Sequence, residues 1–234
     1  MGMNILSWAA LALLVIFAFN GLRRGLIMTV FSTFTMVVAI AVAVNISPYV
    51  SQTWQNTAFF DRVSQHVEKT LFGEDEDPEG GMDADQAAAI QELPLPAAVK
   101  KALLENNNEQ IYSALGITAF RSYVARYLTC LMINALSFIL VFAACIIVLR
   151  IVASCLNIIS YLPVLHSMNK LGGLLMGLLN GLVILWIVCI AATIFSGTEL
   201  GGYIYGQING SMFLRLIYNH NYLMTIVASL KYLI

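Results

Sequence analysis

Catalysis in a polypeptide needs a nucleophile beside a base, a pair of carboxylates, or a cluster of metal ligands, and the residue types able to serve are thinly spread in this chain. The three histidines, His66, His166 and His220, fall in three different connecting regions. No Ser-His-Asp order, His-Glu-x-x-His pair, phosphate-cradling glycine loop or dinucleotide fingerprint occurs. Each histidine therefore reads as a polar surface or interfacial residue. Carboxylates cluster in Glu74-Asp75-Glu76-Asp77-Pro78-Glu79-Gly80-Gly81, but without the alternating-oxygen spacing of a calcium loop. Charge repulsion and the breakers Pro78, Gly80 and Gly81 make that run a solvated, mobile loop. The four cysteines, Cys130, Cys145, Cys155 and Cys189, stand in apolar stretches without Cys-x-x-Cys spacing, as buried free thiols do. No catalytic residue, cofactor site or metal site is expected.

Three sets of residues remain. Gly173, Gly177 and Gly181 recur at four-residue spacing, so their missing side chains fall along one helix face and let another helix approach closely; Asn180 can donate from beside that face. Asn134 and Ser137, three apart and so on one helix face, are polar groups in an apolar run and are expected to hydrogen-bond a neighbouring helix or their own backbone. Arg23 and Arg24, within Gly21-Leu22-Arg23-Arg24-Gly25, read as a topology signal, with binding of lipid headgroups as the functional alternative.

The elements that carry these residues belong in a bilayer. Of 234 residues, 59% are hydrophobic and 11% charged, against roughly 25% charged in soluble domains. Charge is segregated: residues 47–126 hold twelve of the thirteen Asp and Glu and six of the twelve Lys and Arg, leaving that segment at net −6 and the remainder at +5. Leu171 to Phe195 is uncharged throughout, and at about 1.5 Å per residue it spans a hydrocarbon core roughly 30 Å thick.

In chain order, residues 1–46 form a membrane hairpin. The first span is read as retained, because no basic region precedes it as in a signal peptide. Asn20 to Gly25 is the tight turn, and Leu26 to Ile46 the second span, ended at Ser47-Pro48 because proline disfavours helix at the residue before it. Residues 47–126 form a polar, acidic excursion, part helix and part loop: an amphipathic helix through Phe59, Val63, Val67 and Leu71, a mobile loop over 73–85, and short helices over Asp83–Glu92, Pro96–Leu104 and Ile111–Leu115. Residues 127–196 are the membrane body: a third span, Tyr127–Leu149, an interfacial helix over 151–169, and the fourth span. For 151–169 a re-entrant or fifth spanning segment is the alternative. In 197–234 the glycines Gly197, Gly201, Gly202, Gly206 and Gly210 break the helical pattern. Aromatics there, Tyr203, Tyr205, Phe213, Tyr218, Tyr222 and Tyr232, suit an interfacial tail closed by a short helix, Tyr222–Leu233. The fold class is all-α: a multi-pass transmembrane helical bundle of four spans with an acidic excursion between spans 2 and 3.

Two stretches in this order, Gly21-Leu22-Arg23-Arg24-Gly25-Leu26, and Leu162-Pro163-Val164-Leu165 with Asn169-Lys170-Leu171-Gly172-Gly173 through Gly181-Leu182, resemble the colicin V production protein family, the CvpA family. The resemblance covers roughly residues 4–46 and 127–196. It implies a multi-pass protein of the bacterial cytoplasmic (inner) membrane, linked to colicin V production or export and without established catalytic residues. The expected function is therefore a non-catalytic integral membrane protein acting in toxin production, export or envelope maintenance. The alternative is a small channel or transporter subunit in which Asn134, Asn180 and the glycine face line a path. Expected partners are the lipid bilayer and other membrane proteins, or a second copy through the glycine face; no nucleic acid is expected.

Overall fold

The computed structural model describes residues 4–73, 84–93, 95, 97–117, 119–155, 168–195 and 198–227, and its regular structure among these residues is entirely α-helical. Four helices are long and apolar enough to cross a membrane: α1 (Ile5–Arg24), α2 (Leu26–Gln55), α7 (Phe120–Cys155) and α8 (Met168–Thr193). Between α2 and α7 lie α3 (Ala58–Phe72), α4 (Ala84–Glu92), α5 (Ala97–Glu105) and α6 (Glu109–Leu115); after α8 come α9 (Glu199–Gly210), α10 (Met212–Asn219) and α11 (Tyr222–Val227). The protein is a multi-pass membrane protein. Its spanning helices turn large apolar side chains outward, among them Trp8, Phe34, Ile147 and Leu171, the last 65% exposed. Such a surface is stable only where lipid covers it.

Consecutive spans are not the main packing partners. α1 lies along α8 and α2 along α7, with α8 also against α2, whereas α1 and α2 touch little beyond their shared turn. The turn is one residue: α1 stays helical to Arg24, and Gly25, at φ 80°, alone redirects the chain into α2. The expectation of a turn over Asn20–Gly25 is corrected accordingly, since Asn20 to Arg24 keep their backbone hydrogen bonds within helix and leave no donor bare to lipid.

Two span ends also differ from expectation. α2 runs through Pro48 to Gln55. Proline removes one N–H from the ladder, but a membrane helix tolerates this where neighbouring helices and hydroxyl side chains satisfy the freed group, and Ser47 and Ser51 are buried beside it. α7 begins at Phe120 and passes Arg150 to Cys155, so Ile151–Cys155 belong to the third spanning helix and Met168 and Asn169 open the fourth. The rest of the 151–169 segment lies outside the described residues, as does most of the 73–85 loop.

The excursion packs onto one end of the bundle. α3 sits against α7, with Phe60 and Val67 buried. Asp61 pairs with Arg126 at 3.4 Å, the Arg126 guanidinium stands 5.4 Å above the Phe60 ring, and Arg121 lies 5.5 Å above Phe72. Ile90, Leu95, Val99 and Leu103 share one apolar core with Tyr123, Val124 and Tyr127 of α7, and the Tyr123 hydroxyl donates to the Leu103 carbonyl at 2.8 Å. The excursion thus covers a core continuous with the membrane body.

The tail closes the same end. Of the glycines expected to break helical structure, Gly201, Gly202, Gly206 and Gly210 lie in α9, which Thr198 caps by accepting from Gly201 N at 3.2 Å, and Gly197 lies outside the described residues. Gly202 and Gly206 face open space, and glycine is more frequent in membrane helices than in soluble ones. The Tyr205 hydroxyl donates to Leu95 O at 2.7 Å, Asn4 Nδ2 donates to the Gln207 carbonyl, and Asn221 Nδ2 donates to Trp186 O at 2.9 Å. Tyr203 and Tyr222 are exposed as interfacial anchors should be, but Tyr218 is packed inward with Leu214 and Ile217.

Candidate functional site

At the opposite end, α1, α2 and α8 meet where the glycines converge. A β-carbon on Gly173 would come 2.9 Å from Gly25 Cα; one on Gly177 would run into the Phe17 carbonyl and come 3.1 Å from Gly21 Cα. One on Gly181 would meet Phe17 Cβ at 3.0 Å. The three predicted packing glycines therefore face α1, and α1 answers with its own small pair, Gly21 and Gly25, also four apart. Gly21-Leu22-Arg23-Arg24-Gly25 is thus a packing motif as well as a basic one, a reading available from its spacing alone. α1 of the same chain therefore occupies the glycine face.

Asn169, which the residue-by-residue reading did not single out, fixes the junction. Its Oδ1 accepts from Leu26 N at 2.8 Å and Ile27 N at 3.3 Å, so the first turn of α2 is capped by a side chain from α8. Gly25 itself offers no side chain for this task. A β-carbon at Gly25 would be strained at φ 80° and would strike the Asn169 carboxamide. Bare N–H groups at a helix start are costly in lipid, which makes this cap structural. The sequence signal was an asparagine at a span's start, legible as a cap but not as one for a helix so far away.

Asn180 is 6% exposed, its Oδ1 is buried without a hydrogen-bond partner, and it lines a cavity of about 560 Å³ bounded by α1, α2, α7 and α8. Asn134 meets expectation: its Oδ1 accepts from Ser51 Oγ on α2 and, at 3.4 Å, from Gln55 Nε2. Ser137 is buried with its hydroxyl unpartnered. Arg23 and Arg24 are both exposed but separate in role: Arg23 lies 5.6 Å above the Phe19 ring, while Arg24 lines the cavity.

His66, on α3, and His220, at the end of α10, are exposed, with His220 Nδ1 2.9 Å from the Leu216 carbonyl; His166 and the acidic run 74–79 lie outside the described residues. Cys130, Cys145 and Cys189 are free thiols, and no group of three potential metal ligands occurs among the described residues.

The Gly21–Gly25 turn and the Asn169–Gly181 stretch are thus one packed unit, and the sequence model for the colicin V production protein matches residues 6–72 and 111–221. The chain belongs to the colicin V production protein family. The family match reaches beyond residues 4–46 and 127–196, since it takes in α3, most of α6, α9 and α10 and leaves out 73–110 between its two parts. No curated protein and no solved structure matches the chain. In colicin V production family terms, what this protein builds from the shared stretches is a helix junction with a cavity beside it.

Proposed function

We propose that this chain is a non-catalytic component of the bacterial cytoplasmic membrane that acts in colicin V production or export, with Arg23, Arg24, Arg150 and Lys170 facing the cytoplasm. The observation that carries this reading is that residues 21–27 and 169–181, both inside the family match, meet as a structural junction of glycines and a capping asparagine, with no group of three potential metal ligands among the described residues. A packed junction shapes a surface for other membrane components; it does not turn over a substrate. The channel alternative needs Asn134, Asn180 and the glycine face on one path, but the glycine face is covered by α1, and Asn134 is bonded to Ser51 away from the cavity that holds Asn180.

Complementation of a deletion strain tests the proposal. Colicin V export or envelope integrity should fall on deletion and return with His66→Gln, His166→Gln or His220→Gln, but not with Gly177→Leu. A histidine variant that reached the membrane at normal level yet failed to complement would replace this reading with a site-based one. Ion flux in liposomes holding the purified protein alone would favour the channel.

A further inference from the structure

We infer that the cavity between α1, α2, α7 and α8 is a binding site for one anionic phospholipid, its phosphate held between Arg24 and Arg150 and an acyl chain lying along Ile139, Phe142 and Ile146. Both arginines line the cavity of about 560 Å³, and they also line an adjoining one of about 500 Å³ with Ser32 and Thr35. Both are exposed, and neither has an ion-pair partner among the described residues. No carboxylate occurs in residues 1–60 or 127–198, so the flanking sequence supplies no counter-charge for them. Guanidinium is the side chain best matched to phosphate, through paired N–H donors in a fixed fork.

Below the arginines the walls are mostly apolar, with Asn20, Thr29, Ser32 and Thr35 as the polar side chains of α1 and α2 and, deeper, the Asn180 carboxamide. Thr29 already donates to the Gly25 carbonyl at 2.7 Å. The Asn180 Oδ1 has no partner although it is shielded from the surroundings. An unpaired amide oxygen at membrane depth is costly, and as an acceptor it calls for a donor beside it in the cavity. Depth fits too. Ile139 lies eleven residues before Arg150 on α7, a drop of about 16 Å at ~1.5 Å per residue, close to one leaflet of a hydrocarbon core roughly 30 Å thick. A free inorganic anion would leave this length of apolar wall uncovered, and a zwitterionic lipid would bring its own cation against two guanidinium groups.

The test uses the full-length protein purified in a mild non-ionic detergent, with native mass spectrometry for bound lipid and thermal unfolding as a second readout. Dioleoyl phosphatidylglycerol should bind wild type at least about tenfold more tightly than dioleoyl phosphatidylcholine, and should raise the unfolding temperature. The pair Arg24→Gln with Arg150→Gln should weaken phosphatidylglycerol binding about tenfold or more, as loss of charge-assisted hydrogen bonds does. Arg23→Gln, which removes a charge of the same sign outside the cavity, should bind as wild type. Ala143→Phe, which leaves every charge in place but fills the cavity, should also lose the lipid. Equal binding of the two lipids, full binding by the double variant, or loss of binding in Arg23→Gln equal to that in the double variant would overturn the inference. Protection by inorganic phosphate alone as strong as that by phosphatidylglycerol would overturn it in favour of a plain anion site.

Discussion

At the scale of single residues, the decisive atoms are those that Gly177, Gly25 and Asn169 lack or present. Because a β-carbon at Gly177 meets the Phe17 backbone carbonyl and not a flexible side-chain tip, even Gly177→Ala should separate α1 from α8, and Gly177→Leu should cost about 1–3 kcal/mol of stability in detergent. Gly206→Ala should be neutral or gain up to about 1 kcal/mol, since nothing stands near that position and alanine is the better helix former. Thermal unfolding of the three variants side by side checks the contrast; equal stability of all three would remove the glycine contact from the argument. Asn169→Ala should cost about 0.5–2 kcal/mol, the usual range for losing a helix cap, and hydrogen exchange should localise the loss to the first turn of α2. Faster exchange at Leu26 and Ile27 without change at Asn134 is the expected pattern.

At the scale of elements, four spans and five extramembrane helices could be read from apolar length and period, because a run such as Leu171–Phe195 can satisfy its backbone in lipid only as helix. Phe59, Val63, Val67 and Leu71 announced α3 in the same way. What the pattern did not contain was partnership. A glycine stripe says that some helix approaches, and chain proximity favoured α2 as the partner of α1; the close contact is instead α1 with α8, which leaves room between α1 and α2 for the cavity. Pro48 stays inside α2 for a related reason, since the steric bias against helix before proline is outweighed at membrane depth by the need to keep the backbone bonded, with neighbouring helices and hydroxyl side chains able to satisfy the freed group. The α2–α7 pairing rests in part on Asn134 with Ser51. A double-mutant cycle of Asn134→Ala and Ser51→Ala should return a coupling near 0.6 kcal/mol, and no more than about 1.7, in keeping with polar pairs between membrane helices. A coupling of zero would mean that apolar contact alone joins α2 to α7.

For the whole molecule, charge and fold agree on an axis. One end carries Arg23, Arg24, Arg150 and Lys170 with no carboxylate in the flanking sequence, and the other carries the acidic excursion. Arg121 and Arg126 stand at the other end, where α3 engages both, Arg126 with Asp61 and Phe60 and Arg121 with Phe72. With the basic end in the cytoplasm by the positive-inside bias, cysteines placed at Arg23 and Glu92 should differ. In cells stripped of any outer barrier, a membrane-impermeant thiol reagent should label the residue-92 variant and spare the residue-23 variant. The reverse pattern would invert the orientation and move the lipid cavity to the outer leaflet.

The cap on α2 has a consequence in time. Leu26 N and Asn169 Oδ1 are 143 positions apart in the chain, so when α1 and α2 leave the ribosome and enter the membrane, neither the cap nor the glycine partner of α1 has been made. The early hairpin must wait, incompletely bonded, until the last span arrives. Completion of this junction is therefore a late checkpoint in biogenesis: a chain truncated before residue 168 should insert two or three spans yet remain a substrate for membrane quality-control proteolysis, while the full-length chain escapes it.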